Sequence, residues 1–240
     1  MNYLEMLTRL GIGSAHPGGF SATLSLFDSL SVAPGSSVLE AGCGTGRTSC
    51  LLAQRGFRVT AIDMLPEMIE KARKRSELMQ VDVDFFVGDI SALPFSSDQF
   101  DMVVAESVTN FATAERAVAE YYRVLKPGGT LYDREVVRLK DSRKGGVKEL
   151  ISFFGFAQLL TAEQWMEVLK SQHFYNVRYS DVTALSCRIT DDDQEHPDDH
   201  QFVSEGALLD ISLFETSMKY TDLMYKGEGV LGSALLAGVK

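Results

Sequence analysis

Residues 38–49, VLEAGCGTGRTS, set Gly42, Gly44 and Gly46 at alternate positions between an apolar run and a segment of helical character. Missing side chains let a ligand approach the backbone closely, and a helix start supplies unpaired N–H groups. Three nucleotide-binding loops compete for this pattern. A phosphate-binding P-loop needs G-x-x-x-x-G-K-[ST], and the chain has no Gly-Lys-Ser/Thr. A dinucleotide fingerprint, G-x-G-x-x-G, needs its third glycine at position 47, which is Arg47. Here that glycine falls one residue early, at Gly46, and Glu40 precedes the loop. A carboxylate there opposes a pyrophosphate and suits a ligand carrying positive charge. Both features count against a nucleotide-dependent oxidoreductase.

Strand-like and helix-like segments alternate on either side of the loop. SVLEA, RVTAID, VDFFVG, FDMVVAES and TLYDREVV read as five strands. Between them, TGRTSCLLAQRG closes at Gly56, LPEMIEKARKRSELM lines up Leu65, Met68, Ile69, Ala72 and Met79, and TAERAVAEYYRVL repeats Ala114, Ala117, Val118, Tyr121 and Leu125. KPGG reads as a turn before the fifth strand, and Thr161 with Gln164 as a capping box. Such alternation predicts a parallel sheet covered on both faces, with ligands beyond the carboxyl ends of its strands. The fold expected is an α/β, Rossmann-like three-layer sandwich in one domain. Residues 1–35 form N-terminal helices and a lid, 36–174 the ligand-binding core, and 175–240 the last strands with an inserted helix.

The glycine spacing and its leading acid resemble the E/D-x-G-x-G-x-G motif of class I S-adenosylmethionine-dependent methyltransferases. The resemblance continues in order through TAIDML, GDISALPF, FDMVVAES and YYRVLKPGG. Small-molecule members, including the ubiquinone/menaquinone-biosynthesis type, look nearest. The resemblance implies a mostly parallel seven-stranded sheet with an antiparallel last strand, and S-adenosyl-L-methionine as cofactor with S-adenosyl-L-homocysteine as product. It assigns Asp63 to the ribose hydroxyls, Asp89 and Ile90 to the adenine with Met64 as a further apolar wall, and Glu40 with the Gly42 backbone to the methionine moiety. Each has a plainer reading: Asp63 as a cap of the next helix, Asp89 as a turn cap, Ile90 and Met64 as core.

Methyl transfer from a sulfonium chiefly requires alignment in a dry site, with a proton acceptor where the acceptor atom is protonated. No fixed triad is expected. Glu106, closing the fourth strand, is a candidate base, an acceptor contact or a partner of the cofactor's ammonium. Asn110 and Glu135 are candidate acceptor contacts, with a helix N-cap as the alternative for Asn110. His16, within GIGSAHPGGF (residues 11–20), is expected on a lid over the cofactor and facing the transfer cavity; its alternative is a turn contact. Glu106 and Asp133 are too scattered to signal a metal, and no metal is expected. The competing function is a protein that binds S-adenosylmethionine or S-adenosylhomocysteine without transfer.

The remaining features set boundaries. A net charge of −10 argues against a nucleic-acid substrate and leaves a small molecule as the expected acceptor. The N-terminal MNYLEMLTRL lacks a signal-peptide core and GVLGSALLAGV is too short to span a bilayer, so a cytoplasmic protein is expected. Cys43, Cys50 and Cys187 show no CxxC pair or metal spacing, and Cys43 reads as a space-filler. Residues 140–156 join Lys140, Arg143, Lys144 and Lys148 to an aromatic cluster and read as a solvated loop before a core-packing helix, with a docking surface for an acidic, partly apolar acceptor as the alternative. KARKR (71–75) reads as a solvated helix face, and DDDQEHPDDH (191–200) as an exposed turn. NVRYSDVTAL and GVLGSALLAGVK read as the sixth and seventh strands, with a helix expected over about 203–225 on the stripe Leu209, Leu213, Thr216, Tyr220 and Leu223.

Overall fold

The computed structural model describes residues 1–30, 32–139, 146–185 and 195–240. Its centre is β1 (Ser37–Ala41), whose side chains alternate between two cores. Leu39 and Ala41 pack on one face with Val103 and Ala105 of β4 (Phe100–Glu106). Val38 packs on the other with Met102 and Val104 of the same strand. A strand buried on both faces reads as a continuous apolar run, which is how SVLEA and FDMVVAE are written.

β2 (Arg58–Asp63), β3 (Val83–Val87), β5 (Leu125–Arg138), β6 (Tyr175–Ala184) and β7 (Leu231–Val239) complete a seven-stranded sheet in the order β3-β2-β1-β4-β5-β7-β6. β1 to β5 run parallel, while β7 lies antiparallel between β5 and β6. The expected class and the antiparallel last strand are both present. The chain leaves β1 toward β3 and returns on the opposite side at β4, so the switch point lies between β1 and β4.

Helices cover both faces. α1 (Tyr3–Leu10) and α2 (Gly19–Ser29) precede the sheet, α3 (Arg47–Gln54) follows the glycine loop, and α4 (Pro66–Met79) joins β2 to β3. α5 (Ala114–Val124) and α7 (Ala162–Ser171) bury Tyr121 and Trp165 beneath β4 and β5, and α7 starts on the expected Thr161–Gln164 capping box. α6 (Val147–Phe154) and α8 (Ile211–Lys226) pack with α1 in a separate apolar cluster holding Tyr3, Met6, Leu150, Phe154, Leu213 and Leu223. An Arg9–Asp210 ion pair ties α1 to the start of α8.

Three expectations are corrected. KPGG does not end before a new strand; β5 runs through it, with a register shift between Phe100 and Met102 and Gly128 in the left-handed region at φ 81°. The inserted helix starts later than 203, because Gly206 at φ 70° breaks the chain and Asp210 caps the helix through the Ser212 N–H at 2.8 Å. Leu209 consequently sits on a short 3-10 turn, 89% exposed, outside the buried stripe. KARKR is only half solvated: Arg73 and Lys74 are exposed, but Lys71 and Arg75 are buried under residues 198–204. Lys71 Nζ donates to the Phe202 carbonyl at 2.6 Å, and Arg75 forms a two-pronged pair with Asp198 at 2.7 Å on both prongs. Thus Asp198 is no exposed turn residue. Residues 191–194 and Cys187 lie outside the described residues, as do Lys140, Arg143 and Lys144.

Candidate functional site

The carboxyl ends of β1, β2 and β4 open into a cavity of about 880 Å³. The glycine loop forms part of its floor, with Gly42, Gly44 and Gly46 all at positive φ. A Cβ on Gly42 would stand 2.3 Å from Val108 Cγ2, so a side chain there collides with the loop after β4. A Cβ on Gly44 meets nothing within 4 Å, leaving that backbone open to a ligand. Gly46 has another job. It is not on the cavity wall, and a Cβ there would lie 2.9 Å from Ala72 Cβ, so it lets α3 pack against α4.

Asp63 ends β2 beside this loop. Its Oδ2 accepts from the Gly44 N–H and its Oδ1 from the Leu65 N–H, both at 2.9 Å. It therefore braces the loop and the entry to α4, while still lining the cavity. Burial raises its pKa against the lowering effect of those backbone donors. Met64, 61% exposed, and Ile90, buried, line the same end. Asp89 is there too, accepting the Ser91 N–H at 2.7 Å in a local turn.

Glu40 is buried at the end of β1 and accepts a hydrogen bond from Ser49 Oγ. Burial pushes its pKa up to about 8, with Glu106 and Asp63 adding to the rise and Ser49 opposing it. Such a carboxyl is matched to a cationic ligand group, which would compensate its charge on ionisation.

Glu106 ends β4 at the switch point and stands at the meeting of three elements. Thr48 Oγ1 of α3 donates to its Oε2 at 3.1 Å, and Thr23 Oγ1 of α2 lies 3.0 Å from both oxygens. His16 Nε2 is 3.2 Å from Thr23 Oγ1 and 3.7 Å from Glu106. Since Thr23 has one hydroxyl proton, donation to Glu106 leaves its oxygen to accept from His16. The His16 and Glu106 side chains are 5% and 6% exposed, and both line the cavity. Residues 12–19 line it as well, so the glycine-rich N-terminal segment passes over the floor.

Asn110 and Glu135 do not line the cavity. Both are fully buried behind it. The two-residue period of β5 directs Val136 to the cavity and Glu135 to the opposite face. There Glu135 accepts the N–H groups of Val108 and Thr109 at 2.9 and 2.7 Å, pinning the loop that meets Gly42. Asn110 sits inside a short 3-10 turn (Thr109–Phe111) rather than capping a helix, and donates to the Val136 carbonyl at 2.8 Å. Burial raises the pKa of both Asp133 and Glu135, and the charge of Asp133 adds to the rise at Glu135. This is core scaffolding. No cluster of metal-ligating side chains occurs among the described residues.

The sequence reading missed several contributors. Thr23 and Thr48 carry no motif; only the packing of α2 and α3 against β4 brings them to Glu106. Asp198 and Gln201 join the wall because residues 198–204 fold back onto α4. Arg47, identified only as a missing glycine, donates to the His196 carbonyl at 2.6 Å and lies 3.9 Å over the Phe20 ring, clasping two chain segments above the loop.

Comparison with known proteins agrees with this geometry. Residues 39–133 match a family described as a methyltransferase domain. An uncharacterised methyltransferase of Bacillus subtilis, YodH, is 36% identical over 172 residues, covering 72% of this chain and 74% of that protein. A demethylmenaquinone methyltransferase of Thermus thermophilus is 40% identical over 97 residues, covering 39% of this chain and 44% of that one. Among solved structures, phosphoethanolamine N-methyltransferase 2 of Haemonchus contortus, in complex with S-adenosyl-L-methionine, shares the fold at TM-score 0.77 and 20% identity. That match covers 99% of this chain but 57% of the longer protein. With the glycine loop, the strand-end acids and the sheet order all in place, the chain belongs to the methyltransferase family, S-adenosylmethionine-dependent enzymes of the class I Rossmann-like fold.

Proposed function

We propose that this protein transfers a methyl group to a small-molecule acceptor, with the cofactor across β1–β3 and the acceptor beyond the tip of β4. The observation that carries this reading is the single cavity shared by the open Gly44 backbone, Asp63 and the His16–Thr23–Glu106 chain. The residues fit S-adenosylmethionine. Asp63 would take the ribose hydroxyls, Met64, Asp89 and Ile90 the adenine, and Glu40 with the Gly42 and Gly44 backbone the ammonium-bearing methionine. The cofactor supplies a methyl on a sulfonium, whose positive charge is lost as the acceptor atom bonds to carbon and the carbon–sulfur bond breaks. His16 takes the proton of a protonated acceptor, and Glu106, through Thr23, compensates the imidazolium that forms. The segment over residues 11–20 excludes water. A net charge of −10 and the absence, among the described residues, of a helix long and apolar enough to cross a membrane support a small-molecule acceptor and a cytoplasmic setting.

Calorimetry should show binding of S-adenosylmethionine and S-adenosylhomocysteine but not NAD. Asp63→Ala removes the ribose acceptor at a cost of about 1.5–3 kcal/mol, roughly tenfold or more in affinity. Unchanged affinity would remove Asp63 from the site. With a productive acceptor found by screening labelled S-adenosylmethionine against a metabolite pool, His16→Ala should cut turnover on the order of 100-fold and leave cofactor affinity nearly intact. Cofactor binding without any product would support the non-catalytic alternative.

Glu40 adds a pH signature. In the free protein its carboxyl is protonated below about 8, and an ammonium beside it favours the ionised form. Binding therefore releases a proton, and affinity climbs as pH rises toward about 8, then levels. The stability of the free protein runs the other way. A folded pKa above the unfolded value contributes stability at low pH that is lost as pH rises through the folded value. Binding heats in two buffers of different ionisation enthalpy should reveal the proton, and Glu40→Gln should abolish it.

A further inference from the structure

We infer that the acceptor is an uncharged, predominantly apolar molecule held in the half of the cavity beneath α1, α6 and α8; the inference rests on the methyl-transfer reading above. The sheet order separates the two ends of the cavity. β1, β2 and β3 lie on one side of β4, and β5 and β7 on the other. Glu40, Gly44, Asp63 and Asp89 belong to the first side, while Val136 of β5 and Leu231 of β7 line the second. The tip of β4, with Glu106 and Val108, lies between them, where an acceptor atom and a methyl donor would meet.

The walls of the second end are apolar. Met6, Leu7, Val136, Phe154, Met224 and Leu231 all line the cavity and belong to the cluster formed by α1, α6 and α8. Aromatic faces add to them: Tyr3 stacks on Tyr220 at 5.8 Å between ring centroids, and Phe154 on Phe156 at 5.1 Å. The described lining residues contributed by α1, α6, α8, β5 and β7 are all uncharged. The hydroxyls of Ser217 and Thr221 donate to α8's own carbonyls, at Leu213 and Ser217. Tyr3 and Tyr220 stay neutral, since burial pushes both phenols up, Tyr220 to about 12.

Among the described residues, charged acceptors find no counter-ion on α1, α6, α8, β5 or β7 in the cavity wall. Arg47 is the permanent cation among the described lining residues, and its guanidinium is engaged with the His196 carbonyl and the Phe20 ring. A phosphate or carboxylate would lose water with no free cation among the described lining residues of these elements to compensate its charge. A cationic acceptor fares no better against these elements, because none of α1, α6, α8, β5 and β7 contributes an acid to the described wall. An apolar body gains from the same walls by leaving water.

The test is calorimetry of para-octylphenol and of phosphoethanolamine with protein saturated with S-adenosylhomocysteine. The phenol should bind saturably and at least 100-fold more tightly than phosphoethanolamine. Met224→Lys puts a charge into the wall and Ser217→Trp fills the space; each should weaken the phenol at least tenfold. S-adenosylmethionine affinity should stay within about twofold in both, showing that the fold is retained. Comparable binding of phosphoethanolamine, or wild-type affinity for the phenol in both variants, would overturn the inference. Phenol binding in a wild-type protein that does not bind S-adenosylmethionine would sink the methyl-transfer reading and leave the apolar site standing.

Discussion

Replacing Arg75 by Met is expected to destabilise the protein by about 3–5 kcal/mol, because it leaves a carboxylate buried without its partner. For a chain of this size that corresponds to a fall in Tm on the order of 10 °C. Arg75 is 2% exposed and the Asp198 side chain 10%. The guanidinium also donates to the Thr45 carbonyl at 2.8 Å and the His200 carbonyl at 3.1 Å, so its loss strands backbone acceptors as well. Asp198→Asn added to the variant removes the lone charge and should recover part of the loss. Acid provides the sign check. Burial raises the Asp198 carboxyl, but its hydrogen bonds to Arg75 outweigh that and hold it below the usual range. Its contribution is present above the unfolded pKa and disappears as pH falls through the folded value. The gap between wild type and variant should therefore narrow in acid. Thermal unfolding across pH measures all of this, and an unchanged Tm at neutral pH would show that residues 198–204 do not depend on the pair. Because Asp198 and Gln201 line the cavity, cofactor affinity should fall along with stability.

Gly42→Ala and Gly44→Ala separate two functions of the glycine loop. Both place an L-residue in the left-handed region, at φ 72° and 51°, a strain of about 1–3 kcal/mol. Only Gly42→Ala adds a collision, with Val108 at 2.3 Å. Val108 cannot easily yield, since its N–H is held by Glu135 at 2.9 Å, and overpacking of this kind costs about 1–3 kcal/mol more. Gly42→Ala should therefore lose roughly 2–6 kcal/mol in total. Gly44→Ala should lose only the strain, yet still weaken S-adenosylmethionine by tenfold or more, because its methyl enters the open space a ligand would fill. Urea unfolding and calorimetry on the two variants decide the matter. Equal destabilisation would mean that the loop after β4 is not fixed against Gly42.

The sequence was most informative where function is written into local chain. The floor of the site comes from contiguous stretches: a strand ending in Glu40, three glycines at alternate positions, a second strand ending in Asp63. Their geometry follows from strand period and left-handed turns, both local properties, so their order and their cavity could be read directly. The alternation of apolar strands with amphipathic helices likewise determined the layered sheet, whereas its antiparallel seventh strand followed only from the family resemblance.

Side-chain destination needed the tertiary structure. Glu135 and Asn110 look as available as Glu106 in the sequence, but the register of β5 turns Glu135 away from the cavity and the 3-10 turn buries Asn110. KARKR has the composition of a solvated face; burial of Lys71 and Arg75 required carbonyls and a carboxylate from residues 198–204, far along the chain. The acceptor end is the extreme case. Met6, Phe154 and Met224 come from three segments that each read simply as amphipathic helix. The sequence determined that each helix must bury an apolar face; only long-range packing decided that those faces would meet around an open cavity, because apolar burial is non-directional and names no partner.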